Sequence, residues 1–137
     1  IISKKIKNAI ITIGQIETAD KRIKLFNKAI EVGFNFPTII SPRAHIGKFS
    51  KIGEGTIVMH DVIINTDSEI GKNCIINTKA LIEHDCKILD HCHISTNATI
   101  NGNVVVESGS FVGSGCVSNN SIKIKKNSFI KAGSLIK

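Results

Sequence analysis

From Ile40 to Ile136, an aliphatic residue recurs at every sixth position of the chain. Sixteen of the seventeen positions in this series are Ile or Val, and Ser118 is the exception. An α-helix needs a period near 3.6 residues and a half-buried strand needs a period of 2, so neither element explains the pattern. A six-residue period of this length is typical of a parallel β-helix, in which each six-residue rung supplies one short strand.

Two further columns of the repeat support this prediction. The position four residues after each aliphatic one is mostly small, and one large and one small inward side chain per rung would fill a narrow prism without voids. The third position after the aliphatic residue is Gly, Asn or Asp in eleven of sixteen rungs. These residues tolerate a positive φ, so the pattern predicts a corner in every rung and roughly five coils of three rungs each.

Residues 1–37 do not follow the six-residue period. Residues 8–13 form an apolar run that is predicted as a buried strand, and residues 17–32 carry apolar side chains at helical spacing. Thr18 is the expected N-cap of this helix and Gly33 its C-terminal stop. A single helix with two strand remnants buries little by itself, so we expect this segment to lean on the β-helix or on further sequence.

Composition argues against several classes of function. All four cysteines fall in the small inward column, where we expect them to pack as apolar residues, and their spacing matches no zinc motif. The formal charge is +7, but the lysines are scattered and Trp and Tyr are absent, so a nucleic-acid partner is not expected.

No apolar run reaches membrane-spanning length, and no signal-peptide pattern opens the sequence. We therefore expect a cytoplasmic protein with no membrane partner. The chain begins with Ile rather than Met, which suggests a piece of a longer protein.

The histidines are the main candidates for chemistry, because three of the five lie within residues 82–94. His84 is predicted to point outward beside Glu83 and Asp85, and an imidazole held by a carboxylate is the usual general base. Asp85 also occupies the corner column, where Asp is favoured for its backbone alone. His93 is one and a half rungs from His84, so a pocket that uses both would form between chains related by threefold symmetry.

A specific resemblance rests on three stretches of sequence. They are Ile-Ile-Asn-Thr-Lys-Ala-Leu-Ile-Glu-His-Asp-Cys at 75–86, His-Cys-His-Ile-Ser at 91–95 and Ala-Gly-Ser at 132–134. With them the chain resembles the hexapeptide-repeat acyltransferases, in particular the bacterial sugar acetyltransferases that include sialic-acid O-acetyltransferases and N-acetyltransferases of UDP-4-amino sugars. The resemblance covers about residues 38–137.

The resemblance implies a fold, an assembly and ligands. Residues 38–137 would form a left-handed parallel β-helix, and residues 1–37 the end of an N-terminal α/β domain that binds the nucleotide sugar. The protein would be a homotrimer with acetyl-CoA as cosubstrate in the groove between two subunits, a small-molecule sugar as acceptor, and no metal.

The resemblance also implies roles for individual residues. His84 matches the general base and Asp85 the acidic residue that orients it. Asn77 and His93 match polar residues of the same site, with His93 near the acetyl carbonyl. The expected reaction is direct attack of a sugar amine or hydroxyl on the thioester, without a covalent enzyme intermediate.

Three further positions match residues whose backbone meets the pantetheine arm of the cosubstrate. They are Gly102, Ala132 and Gly133. Small residues suit such positions, because only a bare backbone lets a thin chain lie so close.

Two other functions fit parts of the pattern. A zinc hydratase that resembles γ-carbonic anhydrase would need a histidine pair such as His91 and His93 on one chain and a third histidine from its neighbour. A non-catalytic β-helix scaffold is the other alternative. The sequence leaves N- and O-acetylation undecided.

Overall fold

The computed structural model describes residues 6–137. One α-helix, α1 (Asp20–Glu31), precedes a series of two-residue strands. The strands are β1 (Ile39–Ile40), β2 (His45–Ile46), β3 (Lys51–Ile52), β4 (Ile57–Val58), β5 (Ile63–Ile64), β6 (Glu69–Ile70), β7 (Ile75–Ile76), β8 (Leu81–Ile82), β9 (Lys87–Ile88), β10 (His93–Ile94), β11 (Thr99–Ile100), β12 (Val105–Val106), β13 (Phe111–Val112), β14 (Val117–Ser118), β15 (Lys123–Ile124), β16 (Phe129–Ile130) and β17 (Leu135–Ile136).

The strands form three parallel sheets, which are the faces of a prism. The first face contains β1, β4, β7, β10, β13 and β16, the second β2, β5, β8, β11, β14 and β17, and the third β3, β6, β9, β12 and β15. Each strand pairs with the strand eighteen residues later, as Ile39 pairs with Ile57, so three rungs complete one coil. The predicted left-handed parallel β-helix of about five coils is confirmed.

The interior is filled by the two inward columns of the repeat. Ile64, Ile76 and Ile82 are fully buried in the aliphatic column, and burial of such a side chain contributes about 1.5–3 kcal/mol. The four cysteines are free and buried in the small column. The thiol of Cys86, for example, donates to the carbonyl of Asn101 at 3.1 Å. The prediction that the cysteines pack as small inward residues is therefore confirmed.

Ser118 is the one interruption of the aliphatic column, and the prism accommodates it through hydrogen bonds. Its side chain is buried, and its Oγ accepts the backbone N–H of Asn101 at 2.9 Å. The amide of Asn101 in turn donates to the carbonyl of Ser118. The strand still pairs in register, with Ser118 opposite Ile136.

Backbone corners occur where the repeat predicts them. Fifteen of the sixteen positions in the corner column have a positive φ, and Arg43 is the exception. Phe49, Lys79 and His91 adopt this conformation with φ between 60° and 65° although they have large side chains. The repeat therefore imposes the corner even where the residue type does not favour it.

The helix is shorter than predicted. It begins at Asp20 instead of residue 17, and the N-cap is Ala19, so the assignment of Thr18 as N-cap was wrong. The hydroxyl of Thr18 still accepts the N–H of Asp20 at 3.2 Å, outside the first helical turn. Gly33 ends the helix as predicted, with φ +91° and its N–H bonded to the carbonyl of Ile30.

Residues 8–13 do not form the predicted buried strand. They make one isolated bridge, between Asn8 and Asn35, and Ile10 is 45% exposed. A strand forms only where neighbouring backbone pairs with it. Within residues 6–137 the return segment offers a partner for one residue.

The N-terminal segment leans on the β-helix, as expected, and Arg22 makes the connection. This side chain is fully buried, and its Nη1 donates to the carbonyl of Ile13 at 2.7 Å while Nη2 donates to Oδ1 of Asn73 at 2.8 Å. Phe26 packs beside it against Phe36. The helix therefore covers the corner between the third and first faces.

Candidate active site

His84 lies at the corner between the second and third faces, which we call the His84 corner. The corner follows β8, and Asp85 adopts φ +60° there. His84 Nδ1 lies 2.7 Å from Oδ2 of Asp85. Because an ionised carboxylate only accepts hydrogen bonds, Nδ1 carries the proton and Nε2 keeps its lone pair. The His84 side chain is 55% exposed, so this lone pair can reach a ligand.

Gly102 provides the surface on which the imidazole rests. It lies one coil above His84, and a methyl group at this position would stand 2.8 Å from both Cε1 and Nε2 of the ring. The next contact of that methyl group would be Nδ2 of Asn120 at 3.4 Å. The absence of a side chain at Gly102 is therefore what permits the observed position of the ring.

Gly102→Ala is expected to disturb the imidazole while leaving the fold intact. The new methyl group would meet the movable ring of His84 rather than backbone, so the ring swings away from Asp85 at little cost in stability. We expect kcat/KM for the reaction proposed below to fall about 10-fold or more, because small misplacements of a catalytic group are costly. Steady-state kinetics and thermal unfolding measure the two effects. Unchanged kinetics would contradict this account of the ring position.

The His84 cavity extends from this histidine toward the N-terminal coils. It has a volume of about 460 Å³. Its lining includes His45, Lys48, Asn65, Thr66, Glu83 and His84. Nδ2 of Asn65 donates to Oε2 of Glu83 at 2.7 Å, which holds that carboxylate at the cavity wall beside the imidazole.

His93 and Asn77 lie on the first face, in a second cavity of about 380 Å³ that we call the His93 cavity. The lining also includes Ile57, Met59, Ile75 and part of the N-terminal segment, residues 10–14. His93 Nδ1 lies 2.6 Å from the backbone carbonyl of Gln15. Because a carbonyl only accepts, Nδ1 carries the ring proton.

The orientation of Asn77 follows from its neighbours. Its Oδ1 accepts the backbone N–H of Thr78 at 2.7 Å, so its Nδ2 faces Nε2 of His93 at 3.2 Å. One N–H of this amide donates to Nε2 of His93, and the second is free to donate to a ligand. His93 itself, as a neutral ring, has no further donor.

Burial keeps His93 neutral. The residue is 8% exposed, and burial lowers its pKa below the ordinary value of about 6.5, with a smaller contribution in the same direction from Arg22. The hydrogen bond to the Gln15 carbonyl acts in the opposite direction and does not reverse the shift. The uncharged form is the one that accepts the N–H of Asn77.

Stability is therefore expected to fall as the pH drops below about 6.5. In that range the unfolded chain protonates His93 and the folded protein does not, so the unfolded state binds more protons until the lowered pKa is reached. His93→Asn removes this contribution. Denaturant unfolding at about pH 7.5 and about pH 5.5 is expected to give a smaller change for the variant than for the wild type. An equal change in both proteins would contradict it.

The residues matched to a single site do not converge within one chain. His84, Asp85 and Gly102 share the His84 corner, whereas Asn77 and His93 line the other cavity. Ala132 and Gly133 follow β16 at the corner between the first and second faces, where both are exposed. A site that uses all of them requires two copies of the chain.

Several residues that line the two cavities or hold their histidines escaped the sequence analysis. Gln15 and Arg22 have no pattern that marks them, since Arg22 stands among lysines on a basic helix. Asn65 could have been found, because it stands eighteen residues before Glu83 and thus directly below it in the next coil.

Two features are absent from residues 6–137. No group of three or more His, Cys, Asp or Glu side chains is arranged to hold a metal ion. In the same part of the chain, no helix has the length and apolarity needed to cross a membrane.

Comparison with known families supports the fold and the repeat. The model of the bacterial transferase hexapeptide (six repeats) matches residues 49–84 and 67–102. Among curated protein sequences, none matches this chain.

Solved structures match over almost the whole chain. A variant of perosamine N-acetyltransferase from Caulobacter crescentus, in complex with CoA and GDP-perosamine, is 31% identical with a TM-score of 0.93 over 98% of this chain and 62% of that one. The acetyltransferase domain of PglB from Neisseria gonorrhoeae, in complex with acetyl coenzyme A, is 27% identical with a TM-score of 0.83 over 88% of this chain and 61% of that one. WeeI from Acinetobacter baumannii shares the fold at 22% identity, with a TM-score of 0.78 over 98% of this chain and 69% of that one.

The chain spans less than two thirds of the length of the first two of these proteins. Over the part that they share, the fold of the chain agrees with theirs at TM-scores of 0.93 and 0.83. Residues 49–102 therefore carry the bacterial transferase hexapeptide repeat, and the chain shares its left-handed β-helix fold with the sugar acetyltransferases that its sequence resembles.

Proposed function

We propose that this chain carries the β-helix and the catalytic residues of an acetyl-CoA-dependent amino-sugar N-acetyltransferase. The observation that carries the proposal is His84, whose Nε2 is unblocked while Asp85 holds Nδ1. This arrangement lies in a chain whose sequence is 31% identical to that of a perosamine N-acetyltransferase variant solved with CoA and GDP-perosamine, and the two share one fold.

His84 serves as the general base in this proposal. The amine of the acceptor attacks the thioester carbon, and its proton passes to Nε2 as the C–N bond forms. The C–S bond then breaks, and the proton leaves Nε2 for the thiolate of CoA. Asp85 stabilises the imidazolium that exists between these two transfers, because its carboxylate already holds the Nδ1 proton.

Asn77 is the better donor to the developing oxyanion. A negative charge on the carbonyl oxygen needs an N–H directed at it, and the only proton on neutral His93 is bonded to Gln15. The Asn77 amide has two N–H groups, and only one of them is directed at His93, so the second can donate to the oxyanion. His93 then acts by orienting Asn77, while both line the wall next to the acetyl group.

The active unit in this proposal is a homotrimer. His84 and His93 lie in separate cavities of one chain, so the His84 corner of one subunit faces the His93 cavity of its neighbour. Acetyl-CoA lies in the groove between them, with its pantetheine arm against the backbone of Gly102 and of Ala132–Gly133. Residues 1–37 are the end of a nucleotide-sugar-binding domain, and the buried Arg22 that ties the segment to the β-helix supports a fixed position for it.

The acceptor is a nucleotide-linked amino sugar, which agrees with the ligand named for the perosamine enzyme. O-acetylation of a sialic acid hydroxyl is the other reaction compatible with the same base. As the resemblance to sugar acetyltransferases implies, we also propose a role in cell-surface polysaccharide synthesis and a location in the cytoplasm.

The zinc hydratase is not favoured. His91 and His93 do not form a pair, since His91 Nδ1 contacts the amide of Asn73 at one corner while His93 binds Gln15 on a face. A thiol-release assay distinguishes the scaffold alternative from an enzyme, because a scaffold releases no CoA with any acceptor.

The test is a thiol-release assay with the full-length protein, acetyl-CoA and a panel of UDP- and GDP-linked 4-amino sugars and sialic acids. We expect CoA release that depends on an amino sugar and disappears in His84→Ala. Release with sialic acids alone would replace N-acetylation by O-acetylation. No release with any acceptor would refute the proposed function.

A further inference from the structure

The His84 cavity carries two opposite charges, one at each end. Glu83 stands beside His84, and Lys48 lies two coils below, which is about 10 Å at a coil spacing of about 4.8 Å. Neither residue takes part in any of the four ion pairs found among residues 6–137. Both charges are therefore available to a ligand.

The carboxylate of Glu83 is the better fixed of the two. Asn65 donates to its Oε2, which leaves Oε1 and the carbonyl oxygen of the Asn65 amide as acceptors at the cavity wall. Acceptors with a negative charge favour a cationic donor such as an ammonium group. A neutral hydroxyl would gain only one ordinary hydrogen bond there.

Lys48 supplies the complementary charge at the far end. Its side chain is exposed at the cavity mouth, and an ammonium group is a common partner for phosphate. A sugar ring with a phosphate attached spans a distance similar to the two coils that separate Lys48 from Glu83. The volume of about 460 Å³ is in the usual range for a pocket that holds a small molecule.

From this arrangement we infer that Glu83 and Lys48 select the acceptor by its charge at both ends. The amine end of a nucleotide-linked amino sugar binds beside Glu83 and His84 as an ammonium ion, and its diphosphate binds Lys48. The bound ammonium ion gives up one proton to solvent, and the neutral amine then attacks and passes its second proton to Nε2 of His84. This inference rests on the proposed function and deepens it, because it assigns the acceptor to the N-terminal side of His84 and the cosubstrate to the side of Gly102. It also favours an amine over a hydroxyl, which the repeat pattern left undecided.

The apolar wall of the cleft would come from the neighbouring subunit. Its His93 cavity runs in the same direction, from His93 down to Ile57 and Met59. A threefold axis parallel to the prism keeps equal coils at equal heights. The acceptor would then lie between a polar wall and an aliphatic wall, which suits a sugar ring with both hydroxyl groups and C–H edges.

The test uses Glu83→Gln and Lys48→Met in the full-length protein. Gln keeps a carbonyl oxygen for Asn65, so Glu83→Gln removes charge with little change of shape. We expect it to raise KM for GDP-perosamine or a UDP-linked 4-amino sugar about 10-fold or more, since charge-assisted hydrogen bonds are the strong ones. The rise is expected to shrink at a pH where the amine is already neutral.

Lys48→Met is expected to raise KM for the nucleotide-linked acceptor about 10-fold and to leave KM unchanged for the same sugar without its nucleotide. KM for acetyl-CoA is expected to stay constant in both variants. The matched controls are Glu107→Gln and Lys72→Met, which change the same residue types at the same rung positions of other corners.

Acceptor binding to the CoA complex, measured by calorimetry, separates the two proposals. If the wild type transfers acetyl groups but the Glu83 and Lys48 variants have the same KM for the acceptor as their controls, the charge-selection inference is wrong. The proposed function is then unaffected. Binding without transfer would refute the proposed function, and weaker binding in the two variants would still support the selection by charge. A wild-type protein that neither binds nor acetylates any of these sugars would refute both.

Discussion

Replacing His84 by alanine is expected to lower kcat/KM for acetyl transfer by about 10²- to 10⁴-fold, the range typical of a lost general base. The physical reason is that no other group among residues 6–137 combines an unblocked imidazole nitrogen with a carboxylate on the opposite nitrogen, as His84 and Asp85 do. Steady-state kinetics with acetyl-CoA and the best acceptor of the panel measure the loss.

The control for this variant is its fold. The His84 side chain is 55% exposed, and within residues 6–137 its hydrogen bond is the one to Asp85, so the native mass and thermal stability of the variant are expected to match the wild type. Asp85→Asn is expected to lose less activity than His84→Ala, because the amide keeps a hydrogen bond while the charge is lost. Activity near the wild-type level in a folded His84→Ala protein would refute the role of the base.

Mixing two inactive variants is expected to restore activity. His84→Ala and His93→Ala remove groups from opposite walls of the proposed intersubunit cleft. In a mixed trimer, a cleft is intact where the His93→Ala chain supplies His84 and the His84→Ala chain supplies His93. Each mixed trimer in a closed threefold ring has one such cleft, so about a third of the clefts are intact once homotrimers have been removed.

The measurement is the activity of co-expressed, doubly tagged trimers after both tags have been used for purification. The control pairs His84→Ala with Asp85→Asn, whose substitutions fall on the same wall. That mixture is expected to show no gain over its parents. If verified mixed trimers of His84→Ala and His93→Ala remain inactive, the two histidines do not share one intersubunit site.

The coil structure could be predicted from the sequence because it depends on a repeated local rule. All rungs but that of Ser118 place Ile or Val inward, and all corner positions but Arg43 adopt a positive φ, so that even Phe49 and His91 turn with the others. The outward position of His84 follows from the same counting. Its contact with Asp85 is local, since the two residues are adjacent.

The N-terminal segment was predicted less well because its structure depends on distant partners. Residues 8–13 look like a strand by composition, but strand formation requires paired backbone, and Asn35 provides one bridge only. Arg22 looks like one more exposed basic residue of a helix. Its burial depends on carbonyl groups and on Asn73, which lies 51 residues away in the chain.

The sequence by itself therefore determined the prism, its corners, its filled interior and the exposure of His84, because each of these follows from side-chain size and backbone preference within one six-residue rung. Only the tertiary structure decided that Asn65 holds Glu83, that Gln15 and Asn77 hold His93, and that the two histidines line separate cavities. These contacts join neighbouring coils or join the β-helix to the N-terminal segment, and their geometry depends on how the coils stack and where that segment lies against them.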